Sequence, residues 1–137
     1  MPLTRHPRNT QFEWQQLVST NYRLISDAQA TAYAEQGYFL LEDAFSPAEM
    51  NAVVDAIAPL EAATEAFLNT RENGTHTIAR AEEITFSPHL VTRSKVLRDF
   101  SLHPVFCALT HDPIGPAVRL YWDQAVCKKP GTPDEFP

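Results

Sequence analysis

Three side chains able to hold a metal, His103, Cys107 and His111, recur at i, i+4 and i+8. On a helix that spacing sets imidazole, thiol and imidazole along one side, an arrangement open to zinc. The flanking residues oppose it. His103 precedes Pro104 and His111 precedes Asp112-Pro113, so both imidazoles fall at the ends of the helix they would need. Cys107 lies among Val105, Phe106, Ala108 and Leu109, a packing environment, and no fourth ligand is evident. A small zinc-binding domain is therefore an alternative and not the leading reading. His89 after Pro88, and His76 between Thr75 and Thr77, suit solvated or locally bonded loop positions. No His-x-Asp or His-x-Glu is present to begin a two-histidine, one-carboxylate iron centre. Phosphate-binding glycine patterns and the Gly-x-Ser-x-Gly elbow are also missing, so no catalytic constellation is complete.

Gln124 is the polar side chain best placed for binding. Residues alternate from Ala117 to Cys127, with Val118, Leu120, Trp122, Gln124 and Val126 on one face and Arg119, Tyr121, Asp123, Ala125 and Cys127 on the other. That period predicts a strand over 117–127. If the first face is interior, the Gln124 amide must find hydrogen-bond partners, either neighbouring backbone or a ligand. Lys128 and Lys129 follow beside Pro130-Gly131, where they would meet an anionic ligand or stand in solvent.

The elements that would position this strand come before it. Ser26-Asp27-Ala28-Gln29 has the form of a capping box and Gly37 is a stop signal, giving a helix over 27–36. Tyr38-Phe39-Leu40-Leu41 suits a short buried strand. A second capping box, Ser46-Pro47-Ala48-Glu49, opens a helix at 47, whose apolar stripe runs through Met50, Val53, Val54, Ile57, Leu60, Phe67 and Leu68. Pro59 predicts a kink or break in it before a second segment to 69. Residues 70–83 read as loop, with Asn73-Gly74 as a turn, and Ile84-Thr85-Phe86 as a brief strand. Helices are predicted over 93–100 and 104–111, and residues 1–26 read as an extended arm.

A chain of 137 residues fits a single domain, and 44% hydrophobic residues suffice for a core. The net charge of −6 leaves no positive field to gather phosphates, so nucleic acid is a poor partner. No stretch has the roughly 20 apolar residues of a membrane span. With no signal-peptide core near Met1 and only two widely separated cysteines, Cys107 and Cys127, a cytoplasmic location is expected. The predicted 117–127 strand has edges that must be satisfied, and upstream there are only two short candidates. The expectation is the front portion of a larger fold, helices first and a β-rich core to follow.

The run Gly37-Tyr38-Phe39-Leu40-Leu41-Glu42-Asp43-Ala44-Phe45-Ser46-Pro47-Ala48-Glu49-Met50 resembles the opening of the phytanoyl-CoA dioxygenase family. The stretch from Leu120 to Thr132, with Glu135-Phe136-Pro137, is similar to the family segment just before its iron motif. The resemblance spans residues 27–137. It implies an α+β fold in which this chain is the N-terminal helical cover and first core strand of a double-stranded β-helix (jelly-roll) oxygenase, truncated before its iron ligands. It further implies Fe(II) and 2-oxoglutarate as cofactors of the complete protein, hydroxylation of a small organic substrate, and a place for Gln124, and less strongly Lys128, near cosubstrate or substrate. No residue of this chain is assigned as an iron ligand, and the 137 residues alone are expected to be inactive and to carry no cofactor. The remaining alternative is a non-catalytic module that associates through its terminal strand.

Overall fold

A computed structural model describes residues 21–131. Most of the predicted arm, residues 1–20, and the last residues, 132–137, lie outside them. Helix α1 (Asp27–Gln36) begins as its sequence predicts: the Gln29 N–H donates to Ser26 Oγ at 3.2 Å, and the Ser26 N–H donates to Gln29 Oε1 at 2.9 Å. It ends at Gly37, whose φ of 84° is the left-handed cap that a residue with a Cβ adopts only at a cost. Helix α2 (Pro47–Asn69) opens on the matching box at Ser46 and Glu49. The Ser46 side chain, then its backbone N–H, holds the Glu49 carboxyl below the usual carboxylate range.

The expected strand over 38–41 and the expected break at Pro59 are corrected. The 38–41 run forms no strand: Tyr38 and Leu40 are 62% and 74% exposed, and the Leu40 carbonyl accepts from Gln29 Nε2 at 2.7 Å. A strand needs a ladder partner, and α1 takes the bond instead. Helix α2 also runs unbroken through Pro59. Proline deprives only the Asp55 carbonyl of its donor, and both residues are exposed, so water can replace the lost bond while well-bonded turns persist on either side.

Residues 70–83, read as loop, contain a hairpin. A 3-10 turn (Glu72–Gly74) leads to β1 (Thr75–His76) and β2 (Ala79–Arg80). The Asn73-Gly74 turn forms as predicted, with φ of 57° and 64°. Two-residue strands carry too little alternation to be seen in a sequence. Strand β3 (Ile84–Pro88) extends the predicted one, and the antiparallel sheet has the order β1-β2-β3-β4.

After β3 come α3 (Leu90–Arg93), α4 (Lys95–Ser101) and α5 (Pro104–Ile114), the last running three residues past its predicted end. Phe45, Phe100 and Phe106 then join the start of α2 to α4 and α5, with ring centroids 4.9–5.3 Å apart. Strand β4 is Gln124–Lys128, so the predicted 117–127 strand forms only in its second half. Its ladder runs from Pro88↔Gln124 to Ile84↔Lys128. Beyond that, His89 turns left-handed at φ 59° into α3, and residues 117–123 fall outside the ladder.

The predicted alternation survives with its faces exchanged. Ala125 and Cys127 are half-buried on the side of Thr85 and Ser87, which faces α2, where the Ser87 and Thr64 hydroxyls bond at 2.7 Å. Gln124, Val126 and Lys128 are exposed on the opposite side. The four-stranded sheet replaces the nearly partnerless strand expected, yet β4 remains at its edge. The arm is also less free than predicted, for Ile25 is buried and its N–H, with those of Arg23 and Leu24, donates to Asp112.

Candidate functional site

A cavity of about 550 Å³ opens where the hairpin and the second half of α2 meet the start of β4. That size suits a small organic ligand. Helix α2 supplies Thr64, Phe67 and Leu68 because its apolar stripe rotates them toward the sheet. The hairpin adds His76, Ile78 and Ala79, and β3 adds Phe86 and Pro88. Trp122, Gln124 and Arg93 stand in the remaining wall. The lining is mostly carbon, with a few polar groups that could orient a ligand.

Asp123 fixes the part of the site that carries Trp122 and Gln124. Its carbonyl accepts from the His89 N–H at 2.9 Å, and its Oδ2 accepts from the Val91 N–H at 3.0 Å. One residue therefore clamps the left-handed turn after β3 and the first turn of α3. The His89 ring stands edge-on to Trp122 with centroids 4.7 Å apart. Sequence reasoning placed Asp123 on the strand's other face without a role. Asp123→Ala is expected to lower stability by about 1–2 kcal/mol, the loss of a charge-assisted bond to a part-buried N–H. Denaturant midpoints check this, and Asp123→Asn should recover part of the loss.

The two binding residues named from sequence part company. Gln124 lines the cavity, but as an exposed side chain and not a buried one, because its face of the sheet is uncovered among the described residues. Lys128 shares that face four positions along, roughly 13 Å away at strand rise, and is not among the lining residues. His76, read as a loop histidine, packs edge-on against Phe67 at 5.5 Å and belongs to the cavity wall.

The zinc arrangement does not form. His103 caps α5, its Nδ1 accepting from the Val105 N–H at 3.2 Å while Nε2 meets Glu49 Oε1 at 3.0 Å. Both ring nitrogens are engaged. His111 Nδ1 lies 3.4 Å from Asp112 Oδ1. Among the described residues no three His, Cys, Asp or Glu side chains are gathered as a metal ion requires.

The two thiols differ. Cys107 is exposed, whereas burial first, then hydrogen bonding and charge from Glu61, push the Cys127 thiol up. At pH 8 Cys107 is expected to react with a maleimide at least tenfold faster than Cys127, as mass spectrometry of the labelled peptides would show.

A set of helices around a small antiparallel sheet, with a largely apolar cavity at the start of β4, defines an α+β protein. The family model described as phytanoyl-CoA dioxygenase (PhyH) matches residues 33–137, and the chain belongs to that family. No curated protein and no solved structure is a significant match. No helix among the described residues is long and apolar enough to cross a membrane.

Proposed function

We propose that this chain is the N-terminal part of an Fe(II)- and 2-oxoglutarate-dependent dioxygenase that hydroxylates a small organic substrate. The observation that carries the reading is the family match over residues 33–137. In this reading α1–α5 are the helical cover and β3 and β4 are early strands of a double-stranded β-helix. The open edge of β4 is where further strands pair. The described residues do not make an iron site, since no ligand set converges among them, and the 137 residues contain no His-x-Asp. In this reading no described residue is assigned as an iron or 2-oxoglutarate ligand.

What these residues contribute is a seat. The cavity walls offer carbon surface to an apolar ligand, Gln124 offers an amide that both donates and accepts, and Asp123 holds the segment in place. Lys128 lies along the same face, where it would act on a longer ligand or on the cosubstrate. A reducing, cytoplasmic setting accords with Cys107 and Cys127 as free thiols.

The test compares the 137-residue chain with one extended by the coding sequence that follows it. The extended protein should convert 2-oxoglutarate to succinate only when Fe(II) is added, and a chelator should stop it. The short chain should produce none. Iron-dependent succinate from the short chain, or none from the extended one with any small organic substrate, sinks the proposal. A second reading, a non-catalytic module that pairs through its terminal strand, draws on the same open edge of β4. It predicts concentration-dependent association of the short chain that Val126→Pro abolishes.

A further inference from the structure

We propose that the cavity selects a ligand with one carboxylate and a bulky apolar body, and that Arg93 is the residue that sets this preference. The proposal rests on the dioxygenase reading only in calling that ligand the substrate. Arg93 is an exposed lining residue at the C-terminal end of α3, with no ion-pair partner among the described residues. None of the lining residues is acidic, so its charge is unopposed within the cavity. An unpaired guanidinium at the mouth of an apolar cleft offers a two-pronged site for a planar carboxylate.

The rest of the wall says what accompanies that carboxylate. Phe67, Leu68, Ile78, Phe86 and Trp122 present rings and branched chains to the cavity, and apolar surface of this kind holds an aryl or branched alkyl group. The volume of about 550 Å³ exceeds what a small diacid fills. A dianion such as 2-oxoglutarate would also leave its second charge against carbon with no cation to meet it. One cation and a large apolar wall match one anion and a large apolar body. Gln124 then selects for a polar group along the ligand, and Arg93 selects for its charged end.

The test uses the intact protein and two probes of equal shape, 6-phenylhexanoate and 6-phenylhexanamide, with binding followed by calorimetry. The native protein should bind the carboxylate at least tenfold more tightly than the amide. Arg93→Gln should remove that preference by weakening the carboxylate about tenfold and leaving the amide unchanged, and Arg93→Lys should restore part of it. Arg93 is exposed, so both variants should melt with the native protein, and a thermal melt on each confirms that the comparison is sound. Equal binding of both probes, binding of neither, or a preference that survives Arg93→Gln overturns the proposal. So does displacement of the probe by equimolar 2-oxoglutarate, which would make the cavity the cosubstrate's seat. Succinate formation is measured separately. A charge preference without iron-dependent succinate removes the dioxygenase reading and keeps this one, while turnover with no charge preference does the reverse.

Discussion

Asp112→Ala is expected to cost about 3 kcal/mol of folding stability, among the largest effects of any single substitution in this chain. Asp112 sits near the end of α5 with its side chain fully buried, 0% exposed. Its Oδ1 accepts from the Arg23 N–H at 2.9 Å, and its Oδ2 accepts from the Leu24 and Ile25 N–H groups at 2.9 and 3.1 Å. Alanine leaves three consecutive backbone donors without an acceptor, one of them on the buried Ile25, and unmade bonds of this kind cost more than made ones contribute. The residues before α1 would then detach from α5. Asp112→Asn keeps one oxygen but turns an amide toward the donors, so it should fall between. Guanidinium unfolding at pH 7 measures both, and a loss below about 1 kcal/mol for alanine would contradict the contact.

The same carboxylate sets an acid limit. Burial pushes the Asp112 carboxyl up, but the N–H groups of Arg23, Ile25 and Leu24, with His111, outweigh it and hold it below the usual carboxylate range. A depressed folded value means that the stabilisation is complete above the unfolded pKa near ~3.9 and disappears as pH falls through the lower folded value. Glu49, lowered first by the Ser46 side chain, works in the same direction. Stability should therefore be flat from pH 7 to about 5 on account of these two groups and fall steeply below about 4.

Much of the helical part was legible because its signals are local. Ser26 with Gln29 and Ser46 with Glu49 announce helix starts within four residues, and both boxes form. Asn73-Gly74 announces a turn in two residues, and it forms. What was misread depends on distant partners. Tyr38–Leu41 has the composition of a strand but nothing to pair with among the described residues. Residues 117–127 alternate well, yet only the five opposite β3 form the ladder, since the length of a strand is that of the pairing and not of the pattern. The orientation of that strand was illegible for a related reason. Both faces carry aromatic or aliphatic residues, so the sequence alone does not say which meets α2, and the small Ala125 and Cys127 prove to fit beneath the helix. Gln124 was singled out as a buried amide on an interior face, whereas it lines the cavity from an exposed face. Arg93 and His76 were not singled out for the site, for they reach the cavity from a short helix and a two-residue strand that local signals do not announce.

Leu68→Ala is expected to lower stability by about 3 kcal/mol, close to the Asp112 effect but by a different route. Leu68 is 1% exposed, the most buried residue of α2, and it also lines the cavity. Truncating it removes three buried carbons and leaves a void that merges with the cavity, so surrounding groups have little reason to collapse into it. Leu68→Met, which keeps the volume, should cost less than about 1.5 kcal/mol. Phe67, the preceding residue, lines the same cavity but is 41% exposed, packing edge-on against His76 and lying under the Arg71 guanidinium at 4.3 Å. Phe67→Ala should cost only about 1 kcal/mol of stability, because water already reaches much of the ring. Its effect should appear in ligand binding, with 6-phenylhexanoate weakened severalfold when the aromatic wall is lost. Denaturant midpoints and calorimetry on the same three variants separate the two roles. Comparable stability losses for Leu68→Ala and Phe67→Ala would mean that the buried side of α2 is not the side that the Thr64–Ser87 contact fixes against the sheet.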